Sequence, residues 1–153
     1  MSDFGNRFTR LCAAIEREDL VEIRQILCND KFRKHFVNKN FYGGLSWSWS
    51  WSPLHTAAFQ GNKDVIKLLV EEFGICIDSR QEMGGCSVTP LHRAIYGHQS
   101  ETVQQLLDYG ANVNLGGRRW NYAKFKDAIH FAEMVNRPKE GRILVEHRSQ
   151  EKK

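Results

Sequence analysis

The chain has 153 residues, of which 41% are hydrophobic and 26% are charged, proportions that are typical of a single globular domain. A chain of this length buries enough apolar surface to fold without disulfide bonds or a structural metal. Its longest apolar runs, such as Val65–Val70, are too short to cross a bilayer.

The cysteines and the first residues indicate the compartment. Cys12, Cys28, Cys76 and Cys86 lack C-x-x-C spacing, and the polar segment Met1–Arg10 predicts no signal peptide. Because these features favour a reducing environment, we expect a cytoplasmic or nuclear protein with no membrane contact.

The formal net charge of +4 is unevenly distributed. Residues 1–117 contain 12 Lys or Arg against 13 Asp or Glu, whereas residues 118–153 contain 10 against 5. A basic segment of this kind is typical of a solvated helix face, so the charge alone gives little indication of a nucleic-acid partner.

Four segments in chain order carry related patterns. The first is TRLCAAIEREDLVEIRQIL from Thr9, and the last is DAIHFAEMVNRPKEGRILV from Asp127. Between them, SPLHTAAFQGNKDVIKLLVEEFGICID from Ser52 aligns with TPLHRAIYGHQSETVQQLLDYGANVN from Thr89. Internal repeats of this length predict a stack of similar units.

Each unit is predicted to be a pair of helices. Ser52 and Thr89 suit the N-cap position, and the proline that follows each of them suits the first helical position. Apolar residues at i, i+3 and i+4 then mark the inward stripe of a second helix. These are Ile23, Ile26 and Leu27; Ile66, Leu69 and Val70; and Val103, Leu106 and Leu107. Gly110 suits the end of the second helix.

These units resemble ankyrin repeats, which carry the signature T-P-L-H-x-A. The resemblance implies an all-α fold, namely an ankyrin-repeat solenoid of four helix-turn-helix repeats with elongated hairpin fingers. The repeats start near residues 9, 52, 89 and 127 of a single domain spanning residues 1–153, and the first and last act as caps. It also implies a non-catalytic adaptor or scaffold for protein–protein interaction. A substrate-recruiting or inhibitory subunit of an enzyme would have the same pattern.

The repeat starts are separated by 43, 37 and 38 residues, more than the usual period of about 33. In ankyrin-like proteins a hairpin, here called a finger, connects successive repeats, so all three fingers are predicted to be long. In the first finger, GGLSWSWSWS places Leu45, Trp47, Trp49 and Trp51 on one face of a strand. This face suits partner binding. Alternatively, the tryptophans pack on Phe36, Phe41 and Tyr42 of the descending arm.

The third finger, LGGRRWNYAKFK, mixes basic and aromatic side chains. Arg118, Arg119 and Trp120 are candidate partner-binding residues for an acidic protein segment. Because such mixtures also suit stacked bases, a nucleic-acid-binding module using this finger and the basic C-terminal segment is the alternative. No recognised nucleic-acid-binding motif accompanies it.

The resemblance further implies which residues face the concave surface. These are Trp51, Phe59 and Gln60 in the second repeat and Val88, Tyr96 and Gly97 in the third. Phe59 and Tyr96 occupy equivalent positions, which predicts an aromatic ladder for partner contact. Packing of these rings against the finger base is the alternative.

The sequence predicts no catalytic centre, metal or cofactor. His55, His92 and His130 recur once per repeat, and in ankyrin-like proteins this histidine hydrogen-bonds neighbouring turns. Zinc would need four convergent ligands, whereas these histidines lie in separate repeats. We expect a monomer. Asn114 matches the position that an asparaginyl hydroxylase modifies in ankyrin-like proteins, although Asn112 replaces the acidic residue often found before it.

Overall fold

The computed structural model describes residues 3–37, 40–41, 52–83, 86–119 and 123–151. The helices are α1 (Asp3–Glu16), α2 (Leu20–Leu27), α3 (Asp30–Val37), α4 (Pro53–Gln60), α5 (Lys63–Lys67, continued by a π-helical turn at Leu68–Glu72), α6 (Pro90–Tyr96), α7 (Ser100–Asp108), α8 (Ala128–Met134) and α9 (Pro138–Glu151). The strands are β1 (Asn40–Phe41), β2 (Arg80–Met83), β3 (Cys86–Val88), β4 (Gly117–Arg118) and β5 (Lys124–Phe125). None of the helices in these ranges has the length and apolar composition needed to cross a bilayer.

The repeated motifs open helices as predicted. Ser52 and Thr89 precede Pro53 and Pro90, the first residues of α4 and α6. Asp127 caps α8 by accepting a hydrogen bond from the backbone N–H of His130 at 2.8 Å. The local signals of the sequence therefore fix where these helices begin.

The helices pack in two layers. The first helices of successive units, α1, α4, α6 and α8, lie side by side, and each packs on its own second helix, α2, α5, α7 or α9. Ala57, Ala58 and Ala94 have no exposed surface, and their small side chains allow α4 and α6 to approach closely. The predicted apolar stripes form the core between the layers, with Val70 only partly buried.

The π-helical turn at the end of α5 accommodates one extra residue. Gly74 follows Pro53 by 21 positions, whereas Gly110 follows Pro90 by 20. Both glycines have positive φ, 62° and 84° respectively, so the second helices end with the same left-handed residue. Widening the last turn keeps the apolar seam in register despite the insertion.

The first connection differs from the predicted hairpin, because part of it is the helix α3. Asn29 accepts a hydrogen bond from the backbone N–H of Phe32 at 3.0 Å, and Phe32 is buried in the core. A capped start and a buried apolar anchor favour helix over strand here. The prediction that Phe36 lies on an extended descending arm is therefore wrong, whereas Phe41 does lie on a strand. Tyr42, Leu45, Trp47, Trp49 and Trp51 lie outside the described residues.

The strands form one sheet in the order β1-β2-β3-β4-β5. β2 and β3 form an antiparallel hairpin in the second finger, and β4 and β5 form one in the third. Ser87 pairs with Arg118, which joins the second finger to the third. β1 pairs with β2 in parallel, with Asn40 opposite Arg80. The fingers are thus hydrogen-bonded to one another through the strands of this sheet.

Candidate functional site

The motif histidines join neighbouring units. His55 donates from Nε2 to the carbonyl oxygen of Val88 at 3.1 Å, and its Nδ1 lies 2.6 Å from the hydroxyl of Ser52. In the next unit, His92 donates from Nε2 to the carbonyl oxygen of Leu115 at 3.1 Å. These contacts show that His55 and His92 each hydrogen-bond the segment that leads into the following unit, a strand residue in one case and a loop residue in the other.

Both histidines are neutral and buried. Burial is the main cause that lowers the pKa of His55 and of His92 to about 3. Nδ1 of His92 accepts from the backbone N–H of Thr89 at 3.0 Å, so the proton of that ring is on Nε2. With both ring nitrogens engaged, these imidazoles have no lone pair available for acid–base catalysis.

Phe59 and Tyr96 form the predicted ladder. Their rings stack with centroids 6.3 Å apart and planes inclined by 27°. They lie near the carboxyl ends of α4 and α6, which pass close together because Gly97 has no side chain to meet the backbone of Phe59. Phe59 is 38% exposed, so the pair presents an aromatic surface to solvent. Val88, by contrast, is buried and does not face the concave surface as the resemblance implied.

Arg93 completes this surface and was not singled out from the sequence. Its guanidinium carbon lies 4.4 Å from the Phe59 ring centroid and 5.9 Å from that of Tyr96, distances at which cation–π attraction is effective. Burial lowers the pKa of Arg93 to about 10, so the group keeps its charge at neutral pH. The available signal was its i, i+3 spacing from Tyr96 on α6.

The third finger brings a second arginine to the same place. A small cleft, here called the central cleft, has Arg93, Tyr96 and Arg119 at its rim and the buried residues Cys86, Val88, His92 and Phe131 beneath them. The backbone N–H of Arg119 donates to the carbonyl oxygen of Ala123 at 3.0 Å, which closes the third finger beside this cleft. Arg118, on the neighbouring position, is exposed.

The other predicted site residues are distributed as follows. Gln60 is partly exposed, and its Oε1 accepts from the Asn62 side chain at 3.2 Å. Asn114 is exposed in the turn after α7, where its backbone N–H donates to Oδ1 of Asn112 at 2.9 Å. Trp47, Trp49, Trp51 and Trp120 lie outside the described residues.

Metal-ligating groups do not converge in the part of the chain that the structure describes. No three His, Cys, Asp or Glu side chains there form a cluster that could hold a metal ion. Cys12, Cys28, Cys76 and Cys86 are free thiols. Burial, aided by the charge of Glu16, raises the pKa of Cys12 to about 11, so this thiol is a poor nucleophile at neutral pH.

Comparison with known proteins finds similarity to proteins that contain ankyrin repeats. A family model described as ankyrin repeats in three copies matches residues 11–116. The E3 ubiquitin-protein ligase XBAT33 of Arabidopsis thaliana is 37% identical over 80% of this chain and 21% of its own length. The probable E3 ubiquitin-protein ligase XBOS32 of Oryza sativa subsp. japonica is 33% identical over 88% of this chain and 25% of its own length. A putative ankyrin repeat protein of Rickettsia bellii is 38% identical over 42% of this chain.

These similarities fix the family and the general role. The chain spans about a quarter or less of the length of the two ligases, and the similarity to them runs through the repeats. Ankyrin repeats generally mediate protein–protein interaction, and the comparisons give no support to the nucleic-acid alternative. The fold is largely helical, and the motif histidines bridge successive units. Because the family model also matches residues 11–116, the chain belongs to the ankyrin-repeat family.

Proposed function

We propose that this chain is a non-catalytic recognition module, an adaptor or scaffold that binds a protein partner through its concave face and fingers. The observation that carries the proposal is the arrangement of Phe59, Tyr96 and Arg93. Two aromatic rings and a guanidinium, the side chains that dominate interface energetics, are held together at the surface. Because neighbouring helices already fix them, binding does not require ordering a loop.

The architecture proposed for this module is a monomeric solenoid of four repeats starting near residues 9, 52, 89 and 127, with elongated fingers. The capped start of α8 and its packing on α9 support a fourth repeat. In this arrangement the first and last repeats act as caps and cover the core at each end of the stack.

The proposed contact surface extends from the concave face to the fingers. It includes the described residues Phe59, Gln60, Tyr96, Arg118 and Arg119. It also includes Trp47, Trp49, Trp51 and Trp120, which the sequence alone nominates. We propose that the module acts in the cytoplasm or the nucleus.

The named relatives suggest where such a module is used. Two of them are named as ubiquitin ligases or probable ubiquitin ligases, and the part that they share with this chain is the repeat region. We propose that this chain supplies recognition of a protein rather than ligase chemistry. The proposal follows from the buried, fully engaged histidines and from the exposed aromatic pair.

The double substitution Phe59→Ser with Tyr96→Ser is expected to abolish capture of the partner, because removing two central aromatic anchors costs about 2 kcal/mol or more each. The measurement is a quantitative pull-down that compares wild type with the variant. Thermal unfolding of both proteins is recorded alongside.

Val145→Ser is the matched control, since Val145 is 49% exposed on α9 and outside the proposed surface. It should retain every partner that wild type binds. Retention of the same partners by the double variant, at an unchanged melting temperature, would rule out the concave face as the binding surface.

We also propose Asn114 as a hydroxylation site. The residue is exposed and its turn is short, with buried Val113 on one side and Asn112 bonded to its backbone. Exposure of the protein to an asparaginyl hydroxylase should add one oxygen atom to the peptide that contains Asn114, as mass spectrometry would detect. An Asn114→Gln variant should remain unmodified, and an unmodified wild-type peptide would contradict the proposal.

A further inference from the structure

The central cleft concentrates positive charge beside an aromatic surface. Arg93 comes from α6 and Arg119 from the third finger, and both lie at the rim of the same cleft beside Tyr96. Both arginines line this cleft together with the buried Cys86. Two arginines from different elements thus line the same cleft.

The sequence around the cleft strengthens this charge. Residues 115–126, the predicted third finger, contain four Lys or Arg and no Asp or Glu. Of these, Arg118, Lys124 and Lys126 are exposed. A partner that approaches the cleft along the third finger therefore meets a consistently positive surface.

The opposite side of the stack has a different character. Glu72 on the second helix of its unit binds Arg24 through two oxygens at 2.7 and 2.9 Å, and Glu101 binds Lys63 at 2.6 Å. The carboxylates of that layer are thus interspersed with cations. The charge asymmetry directs an acidic partner to the cleft side rather than to the outer helices.

The geometry of the rings favours a peptide over nucleic acid. Single-stranded nucleic acids bind by stacking bases on open aromatic faces. Here Arg93 covers one face of Phe59 at 4.4 Å, and Tyr96 stacks beside it. A guanidinium held over a ring keeps the planar fork of N–H donors that matches a carboxylate.

We infer that the central cleft and the adjoining third finger bind an acidic segment of a protein partner, with a partner Asp or Glu carboxylate received between Arg93 and Arg119 and an apolar side chain beside it on Phe59 and Tyr96. This inference rests on the proposed function, because it names the chemistry of the partner that the concave face recognises.

The test uses the full chain and a library of random 12-residue peptides displayed on phage. Peptides retained by wild type are sequenced, and the most frequent ones are synthesised and measured by fluorescence anisotropy. Asp and Glu should be enriched among them relative to the unselected library. Replacing the critical peptide Glu with Gln should weaken binding about tenfold or more, because a charge-assisted hydrogen bond is lost.

Arg93→Gln should weaken binding of the acidic peptide by a similar factor. It should cause little further loss of affinity when the critical peptide Glu has already been replaced by Gln. This non-additivity identifies the pair of groups that interact. Arg119→Gln is a second variant that leaves the Phe59 stack intact, so a folding defect in Arg93→Gln does not leave the inference untested. Arg142→Gln, an exposed arginine on α9, should change the affinity less than about twofold.

The outcomes separate the two proposals. Peptides that depend on Phe59 and Tyr96 but show no acidic enrichment, or that bind both arginine variants like wild type, would overturn the acidic-segment inference and leave the proposed function standing. If the selected peptides bind the Phe59→Ser, Tyr96→Ser double variant as well as they bind wild type, both the acidic-segment inference and the proposed function are overturned. Competition by a single-stranded oligonucleotide, with a steep loss of affinity in salt, would assign the surface to nucleic acid and also overturn the inference.

Discussion

Acidification from pH 7 to pH 5 is expected to lower the free energy of unfolding by about 4 kcal/mol, through two histidines that the fold keeps neutral. His55 and His92 each donate from Nε2 to a carbonyl of the next unit and have almost no exposed surface. Burial is the main cause of their low pKa, and the charge of Arg93 lowers that of His55 further. Protonating either ring places an uncompensated charge in the core.

The direction of this change in stability follows from the pKa of each imidazole in the folded and in the unfolded chain. Each imidazole has a pKa of about 3 in the folded chain against an ordinary value of 6.5, so between these limits the unfolded chain binds more protons. Stability is therefore complete above about pH 6.5 and decreases as the pH falls towards 3, by up to about 1.4 kcal/mol per pH unit for each histidine. Glu72 and Glu101, whose pKa is lowered by hydrogen bonds from Arg24 and Lys63, contribute mainly below about pH 4.5, outside the interval from pH 7 to pH 5.

Urea unfolding at pH 7, 6 and 5 measures the effect. His98→Asn is the matched control, because His98 is exposed at the turn after α6 and has a positive φ that Asn tolerates. Because this variant keeps His55 and His92, it should retain the loss of stability on acidification that they cause. A free energy of unfolding that is constant from pH 7 to pH 5 would mean that both histidines titrate alike in the folded and the unfolded chain, as solvated imidazoles do.

The helix pairs were predictable because their signals are local. Ser52 with Pro53, Thr89 with Pro90 and the apolar stripes act within a few residues, and the repeats place them in register. The pairing of the strands in the sheet is harder to predict from the sequence. Parallel pairing of Asn40 with Arg80 joins strands 40 positions apart, and a pattern along the chain does not determine such a register. The helix α3 departs from the hairpin that the long spacing between the first two motifs predicts, because Asn29 caps a helix there and Phe32 anchors it in the core.

The residues of the candidate site likewise differ in whether local sequence signals predict them. Phe59 and Tyr96 could be nominated because equivalent positions in stacked repeats must lie side by side. Arg93 could not be nominated so readily, because its contact with Phe59 connects two repeats and depends on how closely α4 and α6 pack. The convergence of Arg119 with Arg93 requires the third finger to fold back on the second, which the pairing of Ser87 with Arg118 produces. Contacts of this kind follow from the tertiary arrangement rather than from local sequence.

Gly117→Ala is expected to lower the free energy of unfolding by about 2 to 3 kcal/mol, because the strand that carries it has no room for a side chain. A Cβ at this position would overlap the backbone carbonyl oxygen of Ser87 and lie 2.7 Å from Cζ of Phe125. A carbonyl in a paired strand cannot rotate away, so β4 has to move from β3. Since β4 leads directly into Arg119, the same shift should widen the central cleft and weaken partner binding.

Gly141→Ala is the matched control, the same substitution in a helix with space around it. The nearest atom to its Cβ would be that of Ala132 at 3.7 Å, an ordinary contact, and Ala in a helix interior is favoured over Gly by about 0.5 to 1 kcal/mol. Chemical unfolding should therefore show opposite signs for the two variants. If Gly117→Ala were as stable as wild type, β4 could separate from β3 at no cost, and the sheet would not be what holds Arg119 beside Arg93.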